Sequence, residues 1–178
     1  KETTVIPYVK TIALSKTSYA YNGKIQKPSV TVKDAKNGSL KFNTDYTVIY
    51  SGGQKNAGTY KVVVKGKGNY DFTKTLTYKI TKATATVKIS TSSKTVKYRK
   101  VKKKKQTFNL SASASSKGKL TYKKTSGNNK ITVSKTGKVT VKKGLKKGTY
   151  KVKIKVSAAA VTNYNAASAT KTIKVVVK

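Results

Sequence analysis

Cysteine, histidine, methionine and tryptophan are absent from this chain of 178 residues, proline occurs twice, and the only acidic side chains are Glu2, Asp34, Asp45 and Asp71. Without Cys there are no disulfides and no thiol redox chemistry. Without His there is no Ser-His-Asp or Cys-His catalysis, and with both missing a zinc site of ordinary composition is excluded. Metal or carboxylate chemistry would fall to the four acids alone. Zero Cys argues only against a disulfide-stapled secreted scaffold. No apolar run approaches the roughly 20 residues that cross a bilayer, and no signal-peptide pattern is present. A chain that opens on Lys1 with no Met is expected to be a processed piece of something longer. No cofactor, metal ligand or catalytic residue is expected.

What is present in excess is positive charge: 41 Lys or Arg against 4 acids, a formal +37. Residues 1–82 hold 15 Lys and all four acids, whereas residues 83–178 hold 26 basic residues and no acid. Carboxylate general acid/base catalysis, carboxylate-held calcium and internal salt bridges are therefore excluded from the second half.

Where the chain is apolar it alternates with period two, the mark of half-buried strands. Clear cases are 29–33 (SVTVK), 46–50 (YTVIY), 59–65 (TYKVVVK), 74–80 (KTLTYKI), 119–123 (KLTYK), 130–134 (KITVS), 138–142 (KVTVK), 149–156 (TYKVKIKV) and 170–177. Val, Ile, Thr and Tyr dominate these runs, as a pleated surface prefers. Between strands stand Tyr21-Asn22-Gly23-Lys24, Lys36-Asn37-Gly38, Ser51-Gly52-Gly53, Asn56-Ala57-Gly58 and Lys135-Thr136-Gly137, each read as a turn with Gly at positive φ. No stretch presents a convincing amphipathic helix. Short strands punctuated every 8 to 12 residues or so predict an all-β fold of antiparallel sandwiches.

Internal repetition sets the domain number. Gly58-Thr59-Tyr60-Lys61-Val62 recurs as Gly148-Thr149-Tyr150-Lys151-Val152. Asn69-Tyr70 is echoed by Asn163-Tyr164, and Lys74-Thr75-Leu76 by Lys171-Thr172-Ile173. Two tandem modules are expected, residues 1–82 and 83–178. Their joint, Thr81-Lys82-Ala83, holds neither Gly nor Pro, and a further strand is expected over 84–89. So short a joint predicts restricted motion and an elongated pair of about 60 to 70 Å.

Several of these segments carry a family resemblance. Residues 16–24 (KTSYAYNGK), 27–32 (KPSVTV), 44–48 (TDYTV), 56–60 (NAGTY) and 65–70 (KGKGNY) resemble the Ig-like repeat modules (MBG-type) of Gram-positive cell-surface proteins. Residues 131–141 (ITVSKTGKVTV) and 148–150 (GTY) are similar to bacterial Ig-like (Big) domains. The resemblance covers nearly the whole chain and implies two Ig-like β-sandwiches serving as stalk or adhesive repeats, or as accessory domains of secreted enzymes. It also raises the Lys–Asn isopeptide bond of some such modules, which normally uses a buried Asp or Glu. The second module has no acid for it, and the first could use only Asp34, Asp45 or Asp71.

Lys97-Tyr98-Arg99-Lys100-Val101-Lys102-Lys103-Lys104-Lys105 is the densest basic run. Its seven cations Lys97, Arg99, Lys100, Lys102, Lys103, Lys104 and Lys105 are the candidate polyanion dock, with affinity set by counterion release. The competing reading is an exposed loop or edge strand whose lysines prevent edge-to-edge pairing. Basic strands interleaved with Tyr bring nucleic acid to mind. However, Arg99 is the only arginine, so bidentate readout is ruled out as a general mode, and only non-specific contact is expected. Tyr46, Tyr50, Tyr60, Tyr78 and Tyr150 occupy strand positions expected to face the core. Tyr60 and Tyr150, each after a Gly-Thr pair opened by Gly58 and Gly148, resemble the tyrosine-corner residue of Ig-like sandwiches. The loops Tyr21-Asn22-Gly23 and Gly52-Gly53-Gln54-Lys55-Asn56 form turns and could add sugar contacts.

Strongly hydrated lysines on flexible stems give diffuse, geometry-tolerant attraction. The partners that suit it are teichoic acid in a Gram-positive wall and sulfated or sialylated glycans at a host surface. The expected function is that of a non-catalytic, monomeric, surface or secreted segment that spaces other domains and grips anionic polymers. The alternative is an accessory polyanion- or carbohydrate-binding module of a secreted hydrolase.

Overall fold

The computed structural model describes residues 8–36 and 38–178. Glu2, and Asn37 of the expected Lys36-Asn37-Gly38 turn, lie outside the described residues. The chain forms two compact units, Lys1–Ala83 and Thr84–Lys178, and each is an Ig-like sandwich of two facing β-layers.

The first unit contains β1 (Val9–Leu14), β2 (Ser18–Ala20), β3 (Val30–Asp34), β4 (Gly38–Ser39), β5 (Tyr46–Tyr50), β6 (Gly58–Gly66) and β7 (Thr73–Thr81). They make a three-stranded sheet β1-β3-β4 and a four-stranded sheet β2-β7-β6-β5. All neighbours are antiparallel except β2 and β7, which run parallel from Ser18↔Lys79 to Ala20↔Thr81. Alternation along the strands sends Val32, Val62, Val64, Tyr78 and Ile80 inward, and with Leu40, Tyr46 and Tyr70 they form the core.

This core is rich in tyrosine, so its hydroxyls must find acceptors. Tyr78, Tyr50 and Tyr46 reach across from the four-stranded sheet and donate to the carbonyls of Gln26 (2.8 Å), Pro28 (2.5 Å) and Val30 (3.2 Å). Those three carbonyls are two residues apart along the segment that enters β3. A row of phenols therefore ties one layer to the other. Burial pushes the Tyr78 hydroxyl up to about 12, assisted by the neighbouring hydroxyls of Tyr60, Tyr19 and Tyr50. Burial likewise raises Tyr50, followed by Tyr19 and Tyr46.

β8 (Ala83–Thr84) lies at the boundary of the two units. The second contains β9 (Val87–Ile89), β10 (Ser93–Val96), α1 (Tyr98–Lys103), β11 (Gln106–Asn109), β12 (Ala112–Ala114), β13 (Leu120–Ser126), β14 (Ile131–Val133), β15 (Lys138–Val141), β16 (Gly148–Ala158), β17 (Tyr164–Asn165) and β18 (Ala167–Val177). Its main sheet runs β10-β18-β16-β13, faced by β11-β15-β14 and by the pair β12-β9. β16 and β18 pair in unbroken register from Gly148↔Val177 to Ala158↔Ala167. Their inward residues Val152, Ile154, Val156, Ile173 and Val175 are fully buried. β10 runs parallel to β18, from Ser93↔Lys174 to Val96↔Val177, repeating the β2–β7 arrangement of the first unit.

The repeated Gly-Thr-Tyr-Lys-Val motif opens β6 and β16, and each of these strands pairs with the last long strand of its unit. Tyr60 donates to the Asn56 carbonyl (2.6 Å) and Tyr150 to that of Lys146 (2.9 Å), in both cases four residues upstream.

Three expectations are corrected. Residues 98–103 form a helix where none was expected. The strand expected over 84–89 is interrupted between β8 and β9, where Ala85 turns into the interior. Gly23, Gly38, Gly52 and Gly137 take positive φ as expected, but Gly58 does not. It is the first residue of β6, paired with Ile80, so its backbone is strand-like.

Two outcomes are expected. Tyr78 ionises near pH 10 in the unfolded chain but only near 12 in the folded one. Its contribution to stability is therefore intact below about pH 10 and lost as pH rises toward 12. Replacing Tyr78 by Phe should cost the first unit about 1 kcal/mol at neutral pH through the lost hydrogen bond. Between pH 10 and 12 the gap between wild type and Y78F should narrow, as read from denaturant midpoints. In the second unit, a Cβ at Gly137 (φ +86) would sit 3.0 Å from the Tyr122 ring. Gly137→Ala should lower stability by about 2 kcal/mol or more in the same assay.

Candidate functional site

Seven of the nine residues in 97–105 are cationic, and how they fold decides whether they can act together. Val96 ends β10 in the core, and Lys97 turns the chain into α1 with no side-chain cap. Within α1, Tyr98 and Val101 are three apart and share one face. Val101 is 0 % exposed, and Tyr98 packs against the same cluster. The Tyr98 amide donates to the Lys178 carbonyl (2.7 Å), and the Val101 carbonyl accepts from Gly144 N–H (3.1 Å), pinning both ends of the turn.

With its two apolar residues committed inward, the helix directs everything else outward. Lys97, Arg99, Lys100, Lys102, Lys103, Lys104 and Lys105 are all exposed. Lys100, Lys102 and Lys103 fall in the last turn, where cations favour the negative end of the helix dipole. Arg99, Lys100, Lys103 and Lys104, with Gln106, border a shallow groove of about 410 Å³. Gln106 closes it by donating its side-chain amide to the carbonyls of Lys104 (3.2 Å) and Lys105 (2.9 Å). On the other flank Lys97, Tyr98, Arg99, Lys147 and Lys178 line a second depression, where the Lys147 ammonium sits 5.7 Å from the Tyr98 ring centre. Sequence reasoning passed over Lys147 and Lys178. The only signal for Lys147 is its place just before the Gly148 motif.

The structure therefore brings the seven predicted cations onto one small helix and its flanks, and it replaces the expected loop or edge strand with that helix. A helical surface offers no backbone ladder to pair with a second strand, so protection of a sheet edge does not explain the cations of α1 itself, Arg99, Lys100, Lys102 and Lys103. Chemically the surface offers point charges, with no carboxylate and no nucleophile activated by a base among its lining residues.

The remaining candidates are structural. Asp34 is buried (5 % exposed), accepts from the Tyr70 hydroxyl (2.7 Å) and caps the Lys36 amide (2.7 Å). Asp45 accepts from the Lys41 amide (2.7 Å). Among the described residues, no three metal-ligating side chains come together. Asn22 accepts from the Lys24 amide (2.9 Å). Gln54 is buried, its amide turned onto the Ser51 and Gly52 carbonyls of its own loop. Among the described residues no helix is long and apolar enough to cross a membrane.

No family model matches the chain, and no curated protein matches it. Solved structures similar to it include three N-terminal domains of the outer capsid protein Hoc of bacteriophage RB49. That match has 14% identity and a TM-score of 0.36, over 94% of this chain and 69% of that one. Drosophila N-cadherin EC1-3 matches at 13% identity and TM-score 0.40, over 97% and 68%. Sidekick-1 immunoglobulin domains 1-4 match at 8% identity and TM-score 0.47, over 98% and 50%. The Ig-like character of each unit rests on its own strand order and facing sheets, and the surface chemistry has to speak for the function.

Because Val101 fixes α1 to the core, Val101→Ala should destabilise the second unit by about 2 kcal/mol through lost burial and a residual void. Calorimetry of the full chain should show that transition moving to lower temperature while the first unit's transition stays in place.

Proposed function

We propose that this chain is a non-catalytic tandem Ig-like segment of a Gram-positive bacterial surface or secreted protein. Its first role is to space and present neighbouring domains. Its second is to hold anionic polymers of wall or host, such as teichoic acid and sulfated or sialylated glycans, without a specific pocket on α1. The observation that carries the second role is the grouping of seven exposed cations on α1 and its flanks, in a unit whose sequence contains no acidic side chain. No side chain of that unit can neutralise them, so their field is available to an external polyanion.

The spacing role draws support from the terminal strands. In each unit an early strand lies parallel to the last one, β2 beside β7 and β10 beside β18. Once the strand ahead of that early strand, β1 or β9, has been drawn off its own neighbour, tension across the unit pulls the parallel pair past each other, so their hydrogen bonds are loaded together instead of opening one at a time. A unit built this way resists extension better than one whose end strands form a hairpin.

Binding of the full chain to teichoic-acid-bearing cell walls, heparin and mucin glycans should be followed from about 50 to about 500 mM salt. Affinity should fall steeply and linearly on a log–log scale. Replacing the seven cations of 97–105 by Gln should flatten that slope. Absence of binding at the lowest salt, or a slope untouched by the substitutions, would sink the proposal.

A further inference from the structure

Another concavity of the second unit lies away from α1. It is a groove of about 760 Å³ between the outer face of β13–β16 and the β14–β15 hairpin. Its polar lining comes from three places in the chain: Thr121 and Lys123 of β13, Lys155 and Ser157 of β16, and Thr132 and Lys135 of the hairpin.

Register brings these groups together. Lys123 is directly opposite Lys155, and Thr121 directly opposite Ser157, on the next outward rung. Directly opposed like charges oppose strand pairing, and the unit has no carboxylate to place between them. Lys135 is added from the other layer, because its carbonyl accepts from the Tyr122 amide (3.1 Å). The hairpin is held there by close packing of Gly137 on the Tyr122 ring, where even a Cβ would crowd it. The neighbouring Lys124 also lines the groove, but its N–H donors are engaged elsewhere. Its ammonium is turned away to the carbonyls of Asn128 (2.6 Å) and Ile131 (2.8 Å).

We propose that this groove binds a tetrahedral oxyanion ester, phosphate or sulfate, carried on a polyhydroxylated chain. Three ammonium groups on flexible stems suit a tetrahedral anion with two or three terminal oxygens, as in a phosphodiester or a sulfate ester, which lysine recognises as a point charge. The adjoining hydroxyl rung, with Thr132, suits the sugar or polyol that bears the ester. A nucleic acid fits less well because Tyr122 is the one aromatic ring lining the groove and one of its faces is taken by Gly137, which leaves no run of rings on which successive bases could stack. The proposal rests on the polyanion-binding reading for the kind of ligand, but assigns it a different and more selective surface.

The test compares the 178-residue chain with its variants Lys123→Gln, Lys155→Gln and the α1 double variant Lys102→Gln/Lys103→Gln, at about 150 mM salt, where long-range attraction is screened. Titration calorimetry would use a glycerol-phosphate oligomer, a heparin-derived sulfated oligosaccharide, a polygalacturonate oligomer and oligo-dT. Wild type should bind the phosphate or the sulfate probe in preference to the carboxylate and the nucleic acid, and which ester is preferred identifies the source. Each groove variant should lose about tenfold in affinity, the α1 variant less than about twofold. The ligand-free melting temperature of the groove variants should stay level or rise, because a repulsive pair is removed. Equal losses at groove and helix, or losses at the helix alone, would overturn the groove while leaving the α1 reading standing. No binding of any probe by wild type, or equal binding of polygalacturonate, would overturn it as well.

Discussion

A surplus of hydrogen-bond donors over side-chain acceptors governs how this protein is held together. Forty-one cations and twelve tyrosines are set against four acids, so apart from Tyr70, which reaches Asp34, and a bond from Lys171 to the Ser92 hydroxyl (2.7 Å), these buried or half-buried donors turn to the backbone. The phenols of Tyr46, Tyr50, Tyr60, Tyr78 and Tyr150 all donate to main-chain carbonyls. Lysine ammoniums do the same: Lys124 to Asn128 and Ile131, Lys130 to Gly144 (3.2 Å), and Lys171 to Ile89 (2.9 Å). Such bonds sit at loops and strand ends, where carbonyls lack a ladder partner. Those from Tyr46, Tyr50 and Tyr78 tie one sandwich layer to the other.

From this follows a division of labour. Alternating Val and Ile on β6, β16 and β18 supply the burial that drives folding, and donor-to-carbonyl bonds secure the joins. The outward charge takes part in neither. In the second unit it is uncompensated along α1 and again across the Lys123–Lys155 rung. A fold whose cohesion is independent of its surface can carry a strongly one-signed face, at some cost in self-repulsion.

Much of this was legible in the sequence, and where it was not the reasons are specific. Strands with clean alternation, such as 46–50 and the core of β16, stand close to where the pattern put them. β1 was passed over because a register shift between Val9 and Thr11 breaks its period. α1 was hidden since YRKVKK offers only Tyr98 and Val101, three apart, as a sign of helical packing, amid residues that read as solvated charge. Lys124 and Lys171 look like surface lysines, yet both share the parity of their strands' inward residues. That parity was a readable sign that their ammoniums are used inside. The groove was beyond reach, because Lys123, Lys135 and Lys155 meet only through strand register and a packed turn.

The central claim, that the charge of the second unit is uncompensated within the fold, is tested most directly by calorimetry of the ligand-free full chain as sodium chloride rises from about 10 to about 200 mM. Over that range the screening length falls from roughly 30 Å to below 10 Å. The account predicts that the second unit's melting temperature climbs by several degrees, and more than the first unit's. A melting temperature that stays flat or falls would contradict it, because the cations would then be neutralised within the fold.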